Sequence, residues 1–252
     1  MDQKSLCELQ ANKDSRSNTL AKPPVNKRNE FLIDYLKGNC DMSESNIHIA
    51  ELSVGDGSLS RNLTDSFNNV NLSCVDISPS CLKLARDSIG QSSNTLSSEV
   101  EYLECNFDTQ FHLVPSSKFD IVIALDVMEH VFDVFNFVEN CRRILNDRGI
   151  LFLRVPNIAY IRHRIRLLFG ALPITASWFG TKGEITAWRN RHGWDGGHLH
   201  FFTIPMLYKL LKNNNFIIEQ CSDPGSKLSK LRNVWPKLLF SNPVIIARKS
   251  ND

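Results

Sequence analysis

Gly55 and Gly57 stand two residues apart, after the apolar run Ile47, Ile49, Ala50 and Leu52 and before a stretch, Leu59 to Phe67, with helical spacing. A strand, a glycine turn and a helix start together turn backbone N–H groups toward an approaching ligand. Glycine suits such a turn because a side chain would obstruct both the backbone angles and the approach. A tight turn that binds nothing would carry the same residues. Asp76 ends the next apolar run, about twenty residues on, where an acid can accept hydrogen bonds from both hydroxyls of a ribose. Its competing reading is a capping or solvated loop aspartate.

Asp126, Glu129 and His130 form a second compact set, of acid, acid and imidazole. Such groups suit Mg²⁺ or Mn²⁺, but two carboxylates and one histidine are too few ligands to specify an ion. No metal is therefore assigned, and His130 is read as a cleft residue contacting substrate. His192, Asp195, His198 and His200 lie within nine positions. In extended chain His198 and His200 project to the same side, and a neutral histidine can take a proton from a reacting hydroxyl. The plainer alternative has these histidines satisfying hydrogen bonds in a lid, with Phe201 and Phe202 filling core.

The elements that must position these groups alternate regularly. A helix from Arg28 precedes strand 47–53. Then come helix 57–67, strand 70–75, a helix opened by Ser78 and Pro79, strand 100–105, strand 119–124, helix 131–146 and strand 150–155. Ser78 caps its helix and Pro79 fits its first turn. Helix 131–146 carries its apolar stripe on Val131, Val134, Val138, Cys141 and Leu145, with Gly149 as a turn or C-cap residue. Such alternation implies a parallel sheet with right-handed crossovers. It breaks at 156–200, an insert too long for an ordinary connection and so a lid, and resumes with helix 204–213, strand 216–221 and a final antiparallel strand, 243–248. Residues 1–27, rich in Lys, Asn and Ser, form a flexible arm, and 28–252 form one domain.

Apolar residues make up 42 % of the chain, enough for a large core, and a net charge of +2 gives no reason to expect nucleic acid. Seven cysteines without a C-x-x-C pair indicate reduced thiols in a cytoplasmic protein. No eighteen-residue apolar stretch offers a membrane span. Between Arg154 and His192 stand Arg154, Arg162, Arg164, Arg166, Lys182, Arg189 and Arg191 against one acid, Glu184. This composition suits an anionic acceptor. It equally suits a solvated helix face, with Ile161, Ile165 and Leu168 at helical spacing and Arg162 and Arg166 elsewhere on the wheel. A membrane-surface role is the weaker reading.

Glu51-Leu-Ser-Val-Gly-Asp-Gly57, Cys74-Val-Asp-Ile-Ser-Pro79, Asp126-Val-Met-Glu-His-Val131 and Gly149-Ile-Leu-Phe-Leu-Arg-Val-Pro156 resemble, in order and spacing, the motifs of class I S-adenosylmethionine-dependent methyltransferases. His198-Leu-His-Phe-Phe-Thr203, Trp235-Pro236 and Val244–Lys249 resemble, more loosely, the MetW-like bacterial branch. The resemblance implies a doubly wound, Rossmann-like α/β fold with a mostly parallel seven-stranded sheet and an antiparallel last strand. It implies that Glu51, Ser53, Gly55 and Gly57 surround the methionine portion of the cofactor, that Asp76 holds the ribose, and that Ile77 lies against the adenine. Asn106 and Phe107 would meet the adenine edge and Asp126 would close the site. Glycine is usual where Ser53 stands, so a side chain there crowds the turn. In ubiquinone-biosynthesis O-methyltransferases a run similar to Asp126, Glu129 and His130 is a divalent-metal site.

The reading is thus a methyltransferase using S-adenosylmethionine and releasing S-adenosylhomocysteine, with His198, His200 and His130 as candidate catalytic residues. The acceptor would be a small molecule or glycan, anionic if the insert's arginines face it, and methylated at oxygen. A fold that binds the cofactor without turnover is the alternative. A nicotinamide dehydrogenase is disfavoured, because Ser60 stands where Gly-x-Gly-x-x-Gly needs its third glycine. Oligomeric state is not legible.

Overall fold

The computed structural model describes residues 26–40, 47–92, 99–173, 175, 198–224 and 232–250. Residues 93–98, the N-terminal arm up to residue 25, and His192 and Asp195 of the insert lie outside these. Asn26 caps α1 (Lys27–Asn39) through its side-chain oxygen. There follow β1 (Ile47–Leu52), α2 (Ser58–Ser66), β2 (Val70–Asp76), α3 (Pro79–Ile89), β3 (Val100–Glu104) and β4 (Phe119–Leu125). Next come α4 (Val134–Ile144), β5 (Leu145–Arg154), α5 (Ile161–Leu168), α6 (Ile204–Asn213), β6 (Phe216–Ser222), the short α7 (Pro236–Leu239) and β7 (Val244–Lys249).

The seven strands order as β3-β2-β1-β4-β5-β7-β6. The first five pair in parallel, while β7 runs antiparallel to both β5 and β6. Because successive strand residues face opposite sides, the central strands feed two cores. Ala50, Leu52, Val122 and Ala124 pack with α4 and α6. Ile49, Ile121 and Ile123 pack with α1, α2 and α3. Burial on both faces explains why these strands read as continuous apolar runs. Chain order reverses between β1 and β4, and the crevice outside the strand C-termini at such a point is where open α/β sheets receive ligands.

Two details depart from the sequence reading. Helix α4 begins at Val134, capped by Asp133, because Met128–His130 is instead a separate 3₁₀ turn. Helix α4 also ends at Ile144, so Leu145 and Gly149 belong to β5, which starts early with a register shift opposite Phe119 and Ile121. Gly149 is therefore no C-cap. A Cβ there would lie 2.8 Å from the Leu145 side chain and 3.0 Å from the Asn146 carbonyl oxygen, so close packing accounts for the glycine.

Gly57 carries a comparable constraint at the entrance to α2. It sits at φ +71, and a Cβ would fall 2.4 Å from the Cα of Ala85 on α3. Gly55 is left-handed as well, at φ +57, but a Cβ there would meet nothing within 4 Å. Gly57→Ala should therefore cost about 2 kcal/mol or more, from strain plus overlap. Gly55→Ala should cost about 1 kcal/mol from backbone strain alone. Thermal unfolding ranks the pair, and equal midpoints would contradict the packing account.

Candidate functional site

The carboxylate of Asp76, at the end of β2, is buried and spans two turns. Its Oδ2 accepts from the Gly55 N–H at 3.1 Å and its Oδ1 from the Ser78 N–H at 2.9 Å. The β1 turn is itself tied to β2, since the Ser53 and Val54 N–H groups both donate to the Val75 carbonyl, at 2.7 and 3.2 Å. A carboxylate oxygen can accept more than one hydrogen bond. The open space beside Gly55 thus adjoins an anchored carboxylate.

Ser53 adopts φ +64, a left-handed conformation that costs a residue bearing a Cβ about 1 kcal/mol or more. The backbone thus takes the shape a glycine would take, and strain is borne at Ser53. Glu51, one strand position before Leu52, faces the α2 side and is buried. Ser60 Oγ donates to its Oε2 in a very short hydrogen bond and lies 3.4 Å from Cys74 Sγ. Burial pushes the Glu51 carboxyl up to about 8, against the lowering effects of the Ser60 bond and Arg28. Ser60, which entered the sequence reading only as a missing glycine, is the partner that makes Glu51 tolerable inside.

Beyond β3, Asn106 Oδ1 accepts from the Asp108 N–H at 2.9 Å and the Asn106 N–H donates to Gln110 Oε1 at 2.9 Å. The Asn106 side chain therefore shapes its own loop, and Phe107 packs against Phe111 and Phe137. Ile77, half-buried, sits between Asp76 and the Ser78 cap.

Asp126, at φ +55, is an ion-pair hub: its Oδ2 accepts from Arg154 in a very short contact and lies 3.4 Å from Arg28 on α1. Two guanidiniums share one carboxylate, a feature the sequence hid because α1 and β5 are distant in chain. Arg154 consequently leaves the insert's set of exposed cations.

Glu129 turns away from that hub into the protein. It is buried, and neither carboxylate oxygen has a hydrogen-bond partner. Burial first, then the Asp126 charge, pushes its carboxyl up to about 8. Its backbone carbonyl accepts from the N–H groups of Leu199 and His200, at 2.8 and 3.2 Å, and so pins the insert's returning chain to the end of β4. Asn157, buried after β5, fixes that chain from the other side: Phe202 bridges to it, and its amide donates to the Phe240 carbonyl at 2.8 Å.

Ligand atoms of Glu129, His130 and His198 lie within 4.8 Å of one another, and the two imidazoles stack edge to face at 4.9 Å. Asp126 is not of that set. One carboxylate with two imidazoles would suit a borderline transition ion better than Mg²⁺. Burial lowers the His198 pKa, against the raising effect of Asp126. His200 parts from it, with Nε2 3.1 Å from the Phe132 carbonyl and the ring beside Phe202. Of the predicted histidines, His130 and His198 come together and His200 braces the loop.

Residues 50–151 match the model of a family described as a methyltransferase domain. The ubiquinone biosynthesis O-methyltransferase of Actinobacillus pleuropneumoniae is 24 % identical over 136 residues, covering 53 % of this chain and 56 % of the relative. Its Rhodopseudomonas palustris HaA2 counterpart is 30 % identical over 95 residues, covering 38 % and 36 %. The chain thus spans about half or less of the length of these relatives. Among solved structures, an O-methyltransferase family protein from Burkholderia thailandensis superposes with a TM-score of 0.56 at 12 % identity, covering 88 % of this chain and 56 % of that one. A Bacillus halodurans protein described as a methyltransferase gives 0.57 at 16 %, covering 87 % and 99 %. These superpositions share the fold.

Two measurements test the site's energetics. Ser53→Gly should raise stability by about 1 kcal/mol, seen as a higher unfolding midpoint, and an unchanged midpoint would contradict strain at Ser53. Glu129 has its folded pKa raised from 4.5 to about 8. Its contribution is therefore whole below the unfolded pKa and is lost as pH rises toward 8, at up to about 1.4 kcal/mol per pH unit. Glu51, raised similarly, adds to the same decline. Glu129→Gln should flatten the fall in melting temperature between pH 5 and pH 8; an unaltered slope would mean the carboxyl is not buried neutral.

Proposed function

We propose that this chain is a class I S-adenosylmethionine-dependent methyltransferase and that it methylates a small-molecule acceptor at oxygen. The observation that carries the reading is the Asp76 carboxylate, fixed by the Gly55 and Ser78 N–H groups beside an open glycine turn. The cofactor supplies an electrophilic methyl on a sulfonium. Asp76 would hold the ribose hydroxyls, Ile77 the adenine face, and Asn106 with Phe107 its edge. Glu51, Ser53, Gly55 and Gly57 would line the methionine portion. Arg28, only loosely paired with Asp126, is suited to the methionine carboxylate.

In-line displacement asks little covalent chemistry of the protein, whose contribution is alignment and exclusion of water. A hydroxyl acceptor must lose a proton as the methyl arrives. His198, edge-on to His130 and with its pKa lowered by burial, would take it, while His200 would hold the loop closed on Phe132. Glu129, His130 and His198 would hold a divalent ion if one binds, and it would supply Lewis-acid polarisation of the acceptor oxygen. The relatives named for ubiquinone O-methylation favour oxygen over nitrogen, and exposed Phe132, Phe135 and Phe201 favour an apolar acceptor over a glycan.

A second reading, cofactor binding without turnover, draws on strained Ser53 and on the engagement of Asn106 within its own loop. Calorimetric titration with S-adenosylhomocysteine tests the first step. Wild type should bind, and Asp76→Asn should weaken binding about 100-fold while still unfolding cooperatively at a lower midpoint, since an amide cannot accept from both the Gly55 and the Ser78 N–H groups. No heat and no thermal shift with either donor or product would overturn the assignment. Binding with no labelled methyl passed to any small molecule of a cell extract would favour the second reading.

A further inference from the structure

The helix α5, on the rim of the cleft just past β5, is built inside out. The sequence pattern allowed Ile161, Ile165 and Leu168 to be its buried stripe, yet the buried member is His163, whose ring meets Tyr160. Ile165 is 47 % exposed, Leu168 and Phe169 80 % each, and Leu172 57 %. At about 100° per residue, half-buried Ile161 and exposed Ile165, Leu168 and Phe169 fall on one arc opposite His163, while exposed Leu167 lies next to His163. Arg164 borders that arc on one side and Arg162 and Arg166 on the other.

Arg164 and Arg166 each use Nε to hold a local backbone carbonyl, of Ala159 and Leu172 at 2.7 Å. Among the described residues none of the three arginines pairs with an acid, and the sequence has no Asp or Glu from Pro156 to Gly183. A second exposed apolar pair, Val234 and Trp235, lies near the helix start, where Arg232 donates to Tyr160 Oη at 3.0 Å.

We propose that α5 docks this protein on an anionic lipid surface, its Leu168–Phe169 tip entering the headgroup layer and its flanking arginines meeting lipid phosphates. An apolar arc bordered by arginines is the arrangement of a helix lying in a membrane interface. An acidic partner protein would answer the arginines without covering Leu168 and Phe169, and an uncharged apolar partner would leave the arginines unanswered. Because α5 follows β5 at the strand ends where the cofactor would sit, docking would face the cleft toward the bilayer. The acceptor would then be a lipophilic molecule held there, an extension that rests on the function proposed above.

Sedimentation with vesicles tests the docking without any acceptor. The protein should sediment with phosphatidylglycerol-containing vesicles, not with pure phosphatidylcholine, and should release as salt is raised. Arg162→Gln should weaken binding about fivefold, as expected of one basic residue near an anionic surface. Leu168→Asp with Phe169→Asp should weaken it at least tenfold, both with unchanged melting temperature. Absence of binding to anionic vesicles, or binding indifferent to these substitutions, would overturn the proposal. So would a wild-type dimer in light scattering that the Leu168→Asp, Phe169→Asp protein loses, since the face would then join two copies. S-adenosylhomocysteine titration of the same samples reads the cofactor site separately, so failure of docking and failure of the methyltransferase reading give different results.

Discussion

One carboxylate holds the working end of this molecule together. Asp76 accepts from Gly55 on the turn after β1 and from Ser78 at the start of α3, so two loops that separate strands would otherwise leave mobile become one rigid lip. Burial strengthens such charge-assisted bonds, because water no longer competes for the N–H groups. The same burial demands that the charge stay satisfied, and two backbone donors on opposite oxygens meet that demand. The left-handed turn at Ser53, Gly55 and Gly57 follows from this geometry: the chain must fold back sharply to bring Gly55 under the carboxylate. That Ser53 bears strain there shows the lip's shape prevailing over the local preference of a residue with a Cβ.

Around that lip the charges sort by partner. Asp126, which has Arg154 and Arg28, remains at the mouth. Glu129, three residues on, has no partner for either oxygen and is pushed toward the neutral form. Glu51 lies between these cases, buried but bonded to Ser60. An isolated ionised carboxylate inside a protein is expensive, so Glu51 and Glu129 sit near the boundary between holding and releasing a proton at neutral pH. Carboxyl groups poised in this way cluster at functional sites more than elsewhere. A cofactor bearing positive charge on sulfur and on its amino group would meet groups able to ionise in response.

Most of the scaffold was legible in the sequence because parallel strands buried on two faces must be written as apolar runs. Strands β1, β2, β4 and β5 declared themselves in that way, whereas β3, at the sheet edge, is only partly buried. The glycine turn and Asp76 were legible because backbone sterics and ribose chemistry restrict which residues can stand there. What stayed hidden was pairing across distance. Nothing local says that Arg28 reaches Asp126, 98 positions away, or that His198 joins His130 rather than His200. The C-terminus of α4 misled for a different reason: Gly149 looked like a cap, but it is a glycine because β5 and the Asp120 carbonyl leave no room for a Cβ.

The insert's helix shows the limit of periodicity itself. Apolar spacing reports that a helix has two faces and is silent about which one the protein covers. In α5 the covered side holds His163, while leucine and phenylalanine lie outside with arginines at their border. On the strands the rule that apolar residues go inward holds because both faces meet helices. On α5 only one side meets the domain, and Asn157 and the Glu129 carbonyl fix the neighbouring chain regardless of what the helix exposes. The rim therefore keeps its attachment through hydrogen bonds to backbone, which leaves its side chains available for something beyond the fold.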